Sequence, residues 1–278
     1  MMEIGVFTRL RIFRKTAVGL FLGDAEDNEV LLPNKYVTDQ MQIDDEISVF
    51  IYLDHEERPV ATTLNPYITL HDYAYLKVNY INQFGAFLDW GLEKDLFAPF
   101  AEQAKRMEVD KRYLVYCFKD EKTNRLVATS KINKLLQEIP EGLQSGDQVG
   151  LVISHRTDLG VNMIVNKRFR GLVYTDEAAS LRVRPGDKLT GYVRQIREDG
   201  KIDLALKPIG YAKISTEAGK LLSEIKANKG FLGLTDKSHP EDVKSVLNMS
   251  KKTFKQAVGQ LYKQQLISIT EEGLKLNQ

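Results

Sequence analysis

Cysteine, histidine and long apolar runs are all scarce in this 278-residue chain, and each scarcity removes a class of function. One cysteine, Cys117, cannot build a disulfide framework. It lies between Tyr116 and Phe118 on a predicted strand and reads as a buried structural residue. The four histidines, His55, His71, His155 and His239, are scattered without metal-ligand spacing. No metal and no cofactor are expected. No stretch approaches the roughly 18 consecutive apolar residues of a membrane span. Residues 1–15 alternate apolar and basic side chains without the apolar core of a secretory signal. The expectation is a cytoplasmic protein with no membrane partner. Glycine never gathers into a phosphate-cradling loop of the Walker type. The acidic pairs Asp44-Asp45 and Glu56-Glu57 sit beside turns as solvated loop charges, so a non-enzymatic protein is expected.

What the chain does have is repetition. Residues 49–54, Val-Phe-Ile-Tyr-Leu-Asp, are followed after a charged turn by Pro-Val-Ala-Thr-Thr at 59–63. Residues 114–120, Leu-Val-Tyr-Cys-Phe-Lys-Asp, are followed by Leu-Val-Ala-Thr-Ser at 126–130. Each is a strand, a polar hairpin and a second strand. Upstream, the segment ending Glu29-Val30-Leu31-Leu32-Pro33 matches the one ending Asp95-Leu96-Phe97-Ala98-Pro99. A more diverged third copy runs through Gly171 to Tyr174 and Gly186 to Leu189 and closes with residues 200–206. The reading is three β modules at 1–64, 66–132 and 145–209. Short apolar runs separated by Gly, Asp and Asn suit a small barrel or sandwich. Modules of this size bury modest cores, so contacts between neighbours should matter.

A net charge of +1 hides a gradient. Residues 1–64 carry six basic side chains against twelve acidic, residues 68–131 ten against nine, residues 143–211 eleven against eight, and residues 212–278 eleven against seven. Polyanion binding therefore suits the later modules better than the first.

The most specific local signal is the run from Tyr75 to Asp89, a strand leading into Phe84-Gly85 and a second strand opening Ala86-Phe87-Leu88-Asp89. Alternation sends Ala86 and Leu88, with Trp90, toward a barrel interior, and Phe87 and Asp89 outward. Phe84 can lie beside Phe87 outside, and two outward aromatics next to a glycine make a stacking platform for unpaired bases. These residues, a later Gly-Asp before a long strand and the closing Lys201 to Lys207 resemble the RNA-binding domain of ribosomal protein S-one. The resemblance implies a five-stranded barrel of the oligonucleotide/oligosaccharide-binding (OB) fold, read on its second and third strands. In the second module it implies a site at Phe84 and Phe87, with Lys77, Arg125 and Lys131 as phosphate partners. The family's third-strand histidine is replaced by Ala98. In the third module the same place is Tyr174, Asn162 replaces the second aromatic, and Lys167, Arg168, Arg170, Arg194, Lys201 and Lys207 supply charge. In the first module Gly19 and Leu32 fill the two places, and neither stacks a base. That module reads as a scaffold or protein-facing domain.

After Pro208 the period changes. Ala218, Leu221, Leu222 and Ile225 share one helical face that should end near Asn228 to Gly230. Ser238-His239-Pro240-Glu241 reads as a capping box for a helix carrying Val243, Val246 and Leu247. Ser250 caps a third helix with Phe254, Ala257, Val258 and Leu261 inward, and a hairpin turns at Thr270 to Gly273. Three helices and a hairpin make a winged helix-turn-helix over 212–278. Its third helix exposes Lys251, Lys252, Lys255, Gln256 and Lys263 as nucleic-acid contacts. Lysines at a helix start oppose the dipole, a cost a bound phosphate would offset. Glu271 and Glu272 at the wing tip point the other way.

Three such barrels followed by a winged helix resemble the conserved virulence factor B family of bacterial RNA-binding proteins. The likeness is densest at Ala74 to Lys77, Phe84 to Asp95, Ile196 to Leu204 and Gly230 to Leu276. It implies a mainly β chain of three tandem five-stranded OB-fold barrels with a C-terminal winged helix, binding single-stranded RNA and influencing expression of other genes, virulence genes among them in pathogens. Two other readings stay open: a DNA-binding transcription regulator acting through the winged helix, and an adaptor meeting the ribosome or a nuclease through the acidic first barrel. Oligomeric state is left open.

Overall fold

The computed structural model describes residues 2–277 apart from Asp27, Ser180, 209–215 and 264–265. The expected module edges at residue 209 and residues 212–215 therefore lie outside the described residues.

Three closed five-stranded barrels follow one another. The first is built from β1 (Phe7–Lys15), β2 (Gly19–Gly23), β3 (Glu29–Pro33), β4 (Glu46–Leu53) and β5 (Pro59–Thr62). The second uses β6 (Tyr73–Ile81), β7 (Gly85–Asp89), β8 (Leu96–Pro99), β9 (Arg112–Lys119) and β10 (Leu126–Thr129). The third uses β11 (Gln148–Thr157), β12 (Gly160–Val165), β13 (Phe169–Tyr174), a short α1 (Thr175–Ala178), β14 (Lys188–Ile196) and β15 (Ile202–Ala205). Around each barrel the strands run first, second, third, fifth, fourth. The third and fifth strands pair in parallel, through Leu31 and Val60, Phe97 and Val127, and Gly171 with Ile202. This is the OB topology.

Alternation sets the interior. Leu20 and Leu22, Ala86 and Leu88, and Val161 and Met163 point inward on the three second strands and are fully buried or nearly so. The first strand of each barrel carries an irregularity, between Ile12 and Arg14, Val78 and Tyr80, and Ile153 and His155. Such a bulge re-aims the strand end beyond it, and it falls at the same place three times.

The first barrel has a core of its own, around Leu10, Ile12, Leu22, Leu32, Val49 and Ile51, and also packs against the second. Phe50, Tyr52 and Val60 pack with Leu76, Leu88, Trp90 and Leu96. Trp90 meets Phe50 edge-on at 5.8 Å and Tyr52 at 6.4 Å between ring centroids, so it points inward as expected and also serves the neighbouring barrel. Burying large side chains of this kind stabilises by roughly 1.5–3 kcal/mol each. Cys117 is buried in the same core. Burial, helped by the charge of Asp72, pushes its thiol up to about 12, leaving it unreactive at neutral pH. Tyr73, Ile132, Val152 and Ile164 join the second barrel to the third.

The C-terminal segment comprises α2 (Thr216–Ala227), β16 (Phe231–Leu232), α3 (Pro240–Leu247), α4 (Lys251–Lys263), β17 (Ile267–Ile269) and β18 (Leu274–Leu276). The three strands form one small sheet in the order β16, β18, β17. Ala218, Leu221, Leu222 and Ile225 are buried against Val243, Leu247, Phe254, Ala257 and Leu261. One local expectation needs correction. His239, not Ser238, is the N-cap of α3, and no side chain caps it. The Ser238 hydroxyl instead accepts the Thr235 N–H at 2.8 Å, which closes a turn and leaves nothing for a capping box. Of the apolar residues that α3 carries, Val243 and Leu247 are buried and Val246 is 44% exposed. Ser250 does cap α4, its Oγ accepting the Thr253 N–H at 3.1 Å.

Candidate nucleic-acid interface

The second strand of every barrel opens on a glycine, and the reason is the strand beside it. A Cβ on Gly19, Gly85 or Gly160 would lie 2.1, 2.4 or 2.1 Å from the carbonyl oxygen of Leu32, Ala98 or Val173 respectively. Only glycine permits that approach. The three glycines also fix a register across the copies, for they pair with Pro33, Pro99 and Tyr174. Two residues beyond each glycine stands the outward residue of the strand, Phe21, Phe87 or Asn162. Its neighbours across the barrel are Arg14 and Leu31, Tyr80 and Phe97, and His155 and Leu172.

This register changes several sequence expectations. The outward third-strand residue of the second barrel is Phe97, while Ala98 faces the interior and is fully buried. Tyr174 corresponds to Pro99, not to a stacking position. In the first barrel the comparable place holds Phe21, not Gly19 or Leu32, so that copy does present an aromatic ring. Arg14 lies over it at 3.8 Å while paired to Glu29 at 2.6 Å, so one face of that ring is already covered.

In the second barrel the result is an aromatic row across three strands. Tyr80 stacks on Phe87 with centroids 4.3 Å apart and planes 8° apart, and Phe97 tilts against the other side at 5.0 Å. Phe84 stands at the bend before Gly85, 64% exposed. Its placement comes from Asn82, whose Oδ1 accepts the N–H groups of Phe84 and Gly85 at 2.8 and 3.2 Å. Tyr80 and Phe97 escaped the sequence reading. The bulge at Val78 to Tyr80 shifts the alternation that would have marked Tyr80, and choosing Ala98 as the outward residue hid Phe97. Strict alternation back from Pro99 would have found Phe97.

Phe84, Phe87 and Phe97 line a groove of about 380 Å³ whose other wall includes Tyr52 and Leu53 of the first barrel and Leu126 and Val127 of β10. Its charged lining residues are Glu57, Lys94, Asp95 and Arg125. Arg125 is thus brought to the aromatic site, where it pairs with Glu57 at 2.8 Å. Lys77 lies opposite Asp89 on the same outward face and pairs with Asp110 at 2.7 Å. Lys131 is not part of the groove lining; its Nζ donates to the carbonyl of Ala101. Burial foremost, and the nearby Asp89 charge, hold the Asp95 carboxyl above its ordinary value although Asn79 donates a hydrogen bond to it.

The third barrel gathers its candidates differently. The Tyr174 hydroxyl donates to Asp203 at 3.1 Å and accepts from Arg197, which also pairs with Asp203 at 2.9 Å. Tyr174 is an anchored residue, and Arg197 was missed by sequence. Lys167 pairs with Asp72 at 3.2 Å, Arg168 donates to Gln137, Arg170 donates to the Asn133 carbonyl and Lys201 pairs with Asp199. Arg194 and Lys207 are exposed. His155 and Asn162 occupy the row's positions, 3.4 Å apart.

In the winged helix, Lys252, Lys255 and Gln256 are exposed on α4 and Lys251 is half-buried, with no acidic residue in the first turn. The side chain of Lys263 lies outside the described residues. Glu271 and Glu272 are exposed at the wing tip. Among the described residues, no helix is long and apolar enough to cross a membrane, and no cluster of three or more potential metal ligands occurs.

Residues 219–276 match the CvfB-like winged helix domain family and residues 4–64 the S1 domain family. YitL of Bacillus subtilis is 32% identical over 272 residues, spanning 94% of this chain and 90% of its own length. The chain belongs to the conserved virulence factor B family. Conserved virulence factor B of Staphylococcus saprophyticus is 24% identical over 247 residues, covering 86% of this chain and 82% of that protein. A solved multidomain protein with nucleic acid binding domains from Streptococcus pneumoniae aligns over 99% of both chains at 22% identity, with a TM-score of 0.44. The S1 match falls on the first barrel, the copy whose motif residues had looked most diverged.

Proposed function

We propose that this protein binds single-stranded RNA, with the second barrel as its principal site, and acts without catalysis on the expression of other genes. The observation that carries the reading is the row of Tyr80, Phe87 and Phe97 beside exposed Phe84, on the strand face that OB folds use for oligonucleotides. Successive bases stack on such rings whatever their identity, at about 1–3 kcal/mol per base. The name of the staphylococcal relatives supports a link to virulence where the host is a pathogen. Domain limits at 1–64, 66–132, 145–209 and 212–278 belong to the same reading. In Phe84→Ala/Phe87→Ala, affinity for a short single-stranded RNA should fall about tenfold or more, on the scale of one or two stacked bases removed. Fluorescence anisotropy with circular dichroism as the folding control checks it. Unchanged affinity in a folded variant removes the second barrel from the site.

A second reading, duplex DNA held by the winged helix, is favoured by one observation: exposed Lys252 and Lys255 on an α4 whose first turn has no acid.

A further inference from the structure

Two cations line the aromatic groove, Lys94 and Arg125, and both are already paired to one carboxylate. That carboxylate comes from the first barrel. Glu57 sits at the tip of the β4–β5 hairpin in the left-handed backbone region, at φ +63°. Asp54 holds the turn: its Oδ1 accepts the N–H groups of Glu56 and Arg58 at 2.8 and 3.0 Å, and its Oδ2 accepts from the Arg58 guanidinium. Glu57 is therefore positioned by a hydrogen-bond network that leaves its own side chain free to reach outward. Its Oε1 lies 2.9 Å from Lys94 Nζ and its Oε2 2.8 Å from Arg125 Nε. Lys94 is fixed further by donating to the Asp54 carbonyl at 2.6 Å.

One carboxylate with each oxygen on a different cation fills the position that two oxygens of a phosphate would take. We propose that Glu57 is a specificity-determining residue of the groove: it occupies the anion position between Lys94 and Arg125, so that the groove admits an uncharged nucleobase and turns the phosphate backbone away. The inference rests on the second barrel being the RNA site. The remaining lining agrees with it. Phe84, Phe87, Phe97, Leu126 and Val127 are apolar. Glu57 and Asp95 balance Lys94 and Arg125 in formal charge, and the elevated Asp95 carboxyl reports surroundings unfavourable to another anion. Binding inside the groove then depends on stacking and only weakly on salt, because few phosphates are neutralised there.

The chain's single tryptophan, Trp90, is buried beneath this groove, so its emission is followed together with the anisotropy of a labelled RNA. The test titrates the full chain and Glu57→Gln with a short oligouridylate, following Trp90 quenching over a range of salt concentrations. For the wild type the expected result is quenching with a shallow salt dependence. For Glu57→Gln, affinity at low salt should rise about fivefold, the scale of one exposed ion pair. The log–log salt slope should steepen by about 0.7 for each cation released to phosphate. Adding Arg125→Gln to Glu57→Gln should cancel part of that steepening, which separates release of a specific cation from a general reduction in negative charge. Unchanged or weakened binding by folded Glu57→Gln overturns the role of Glu57 and leaves the stacking site standing. Should that variant unfold, Glu57→Asn, which also removes the charge and suits the left-handed backbone at residue 57, is read by the same criteria. Absence of binding by the wild type, in both Trp90 emission and anisotropy of the labelled RNA, overturns the stacking site itself, and the role of Glu57 with it.

Discussion

A Cβ at Gly85 would sit 2.4 Å from the Ala98 carbonyl oxygen and 2.8 Å from both the Phe97 ring and the Pro99 Cα. Two of those three atoms are backbone and cannot swing aside. Gly85 thus holds β7 and β8 close enough for Phe87 and Phe97 to meet, and the site depends on a residue with no side chain. Gly85→Ala should cost about 1–3 kcal/mol, the scale of an overpacked core. Gly259 is the control, since it lies within α4 with nothing near its absent Cβ. Gly259→Ala should stabilise by up to about 1 kcal/mol through helix propensity. Chemical denaturation of both variants checks the pair, and equal effects at the two sites would remove the steric account. At this scale the sequence showed Phe84 and Phe87 because the glycine between them is a visible marker. Tyr80 and Phe97 carry no such marker. Their membership depends on a bulge and on a one-residue choice of register, which flips a strand's faces.

Hairpins and helices were more legible than individual contacts, because each rests on a period that neighbouring residues repeat. The strand–hairpin–strand units at β4–β5 and β9–β10 stand where the repeated residues put them, and the inward face of α2 follows its spacing. The N-terminus of α3 differs from the expected capping box for a local reason: a serine two residues before a proline suits both a cap and a turn, and Thr235 supplies the turn's donor. Helix α4 is the element on which the duplex-DNA reading depends. Its exposed start has Lys252 and Lys255 with half-buried Lys251, where the helix dipole already adds positive potential. If α4 contacts phosphates, replacing the three lysines with alanine should lower duplex DNA affinity and reduce the log–log salt slope by about 0.9 for each phosphate that α4 no longer neutralises. Competition between duplex DNA and single-stranded RNA at matched salt checks it. RNA displacing DNA with no effect of the lysine variant would assign α4 to another use.

Across the molecule, charge pairs between barrels were the least legible feature, since nothing local announces a partner a hundred residues away. Asp72, at the start of the second barrel, meets Lys188 at 2.5 Å and Lys167 at 3.2 Å, both in the third. Its side chain is 11% exposed, whereas those of the two lysines are about half exposed at 52% and 50%. Burial alone would raise the Asp72 carboxyl; the hydrogen bonds from Lys188 and the Tyr73 N–H, with the lysine charges, outweigh it and hold the carboxyl below its ordinary value. A depressed value in the folded state means that unfolding takes up protons as the pH drops, so the contribution is complete above the unfolded carboxylate value near 4 and is lost as pH falls through the folded one. Water screens the exposed lysine ends, so the expected size is about 1–2 kcal/mol, between an exposed pair and a buried charged hydrogen bond. Asp72→Asn should therefore lower the melting temperature at neutral pH and narrow the gap to the wild type below about pH 4. Thermal unfolding across that range follows both curves. Parallel curves would mean that Asp72 contributes through packing and not through its charge. The third barrel would then be held to the second by the apolar contacts of Tyr73, Ile132, Val152 and Ile164 and not by these ion pairs.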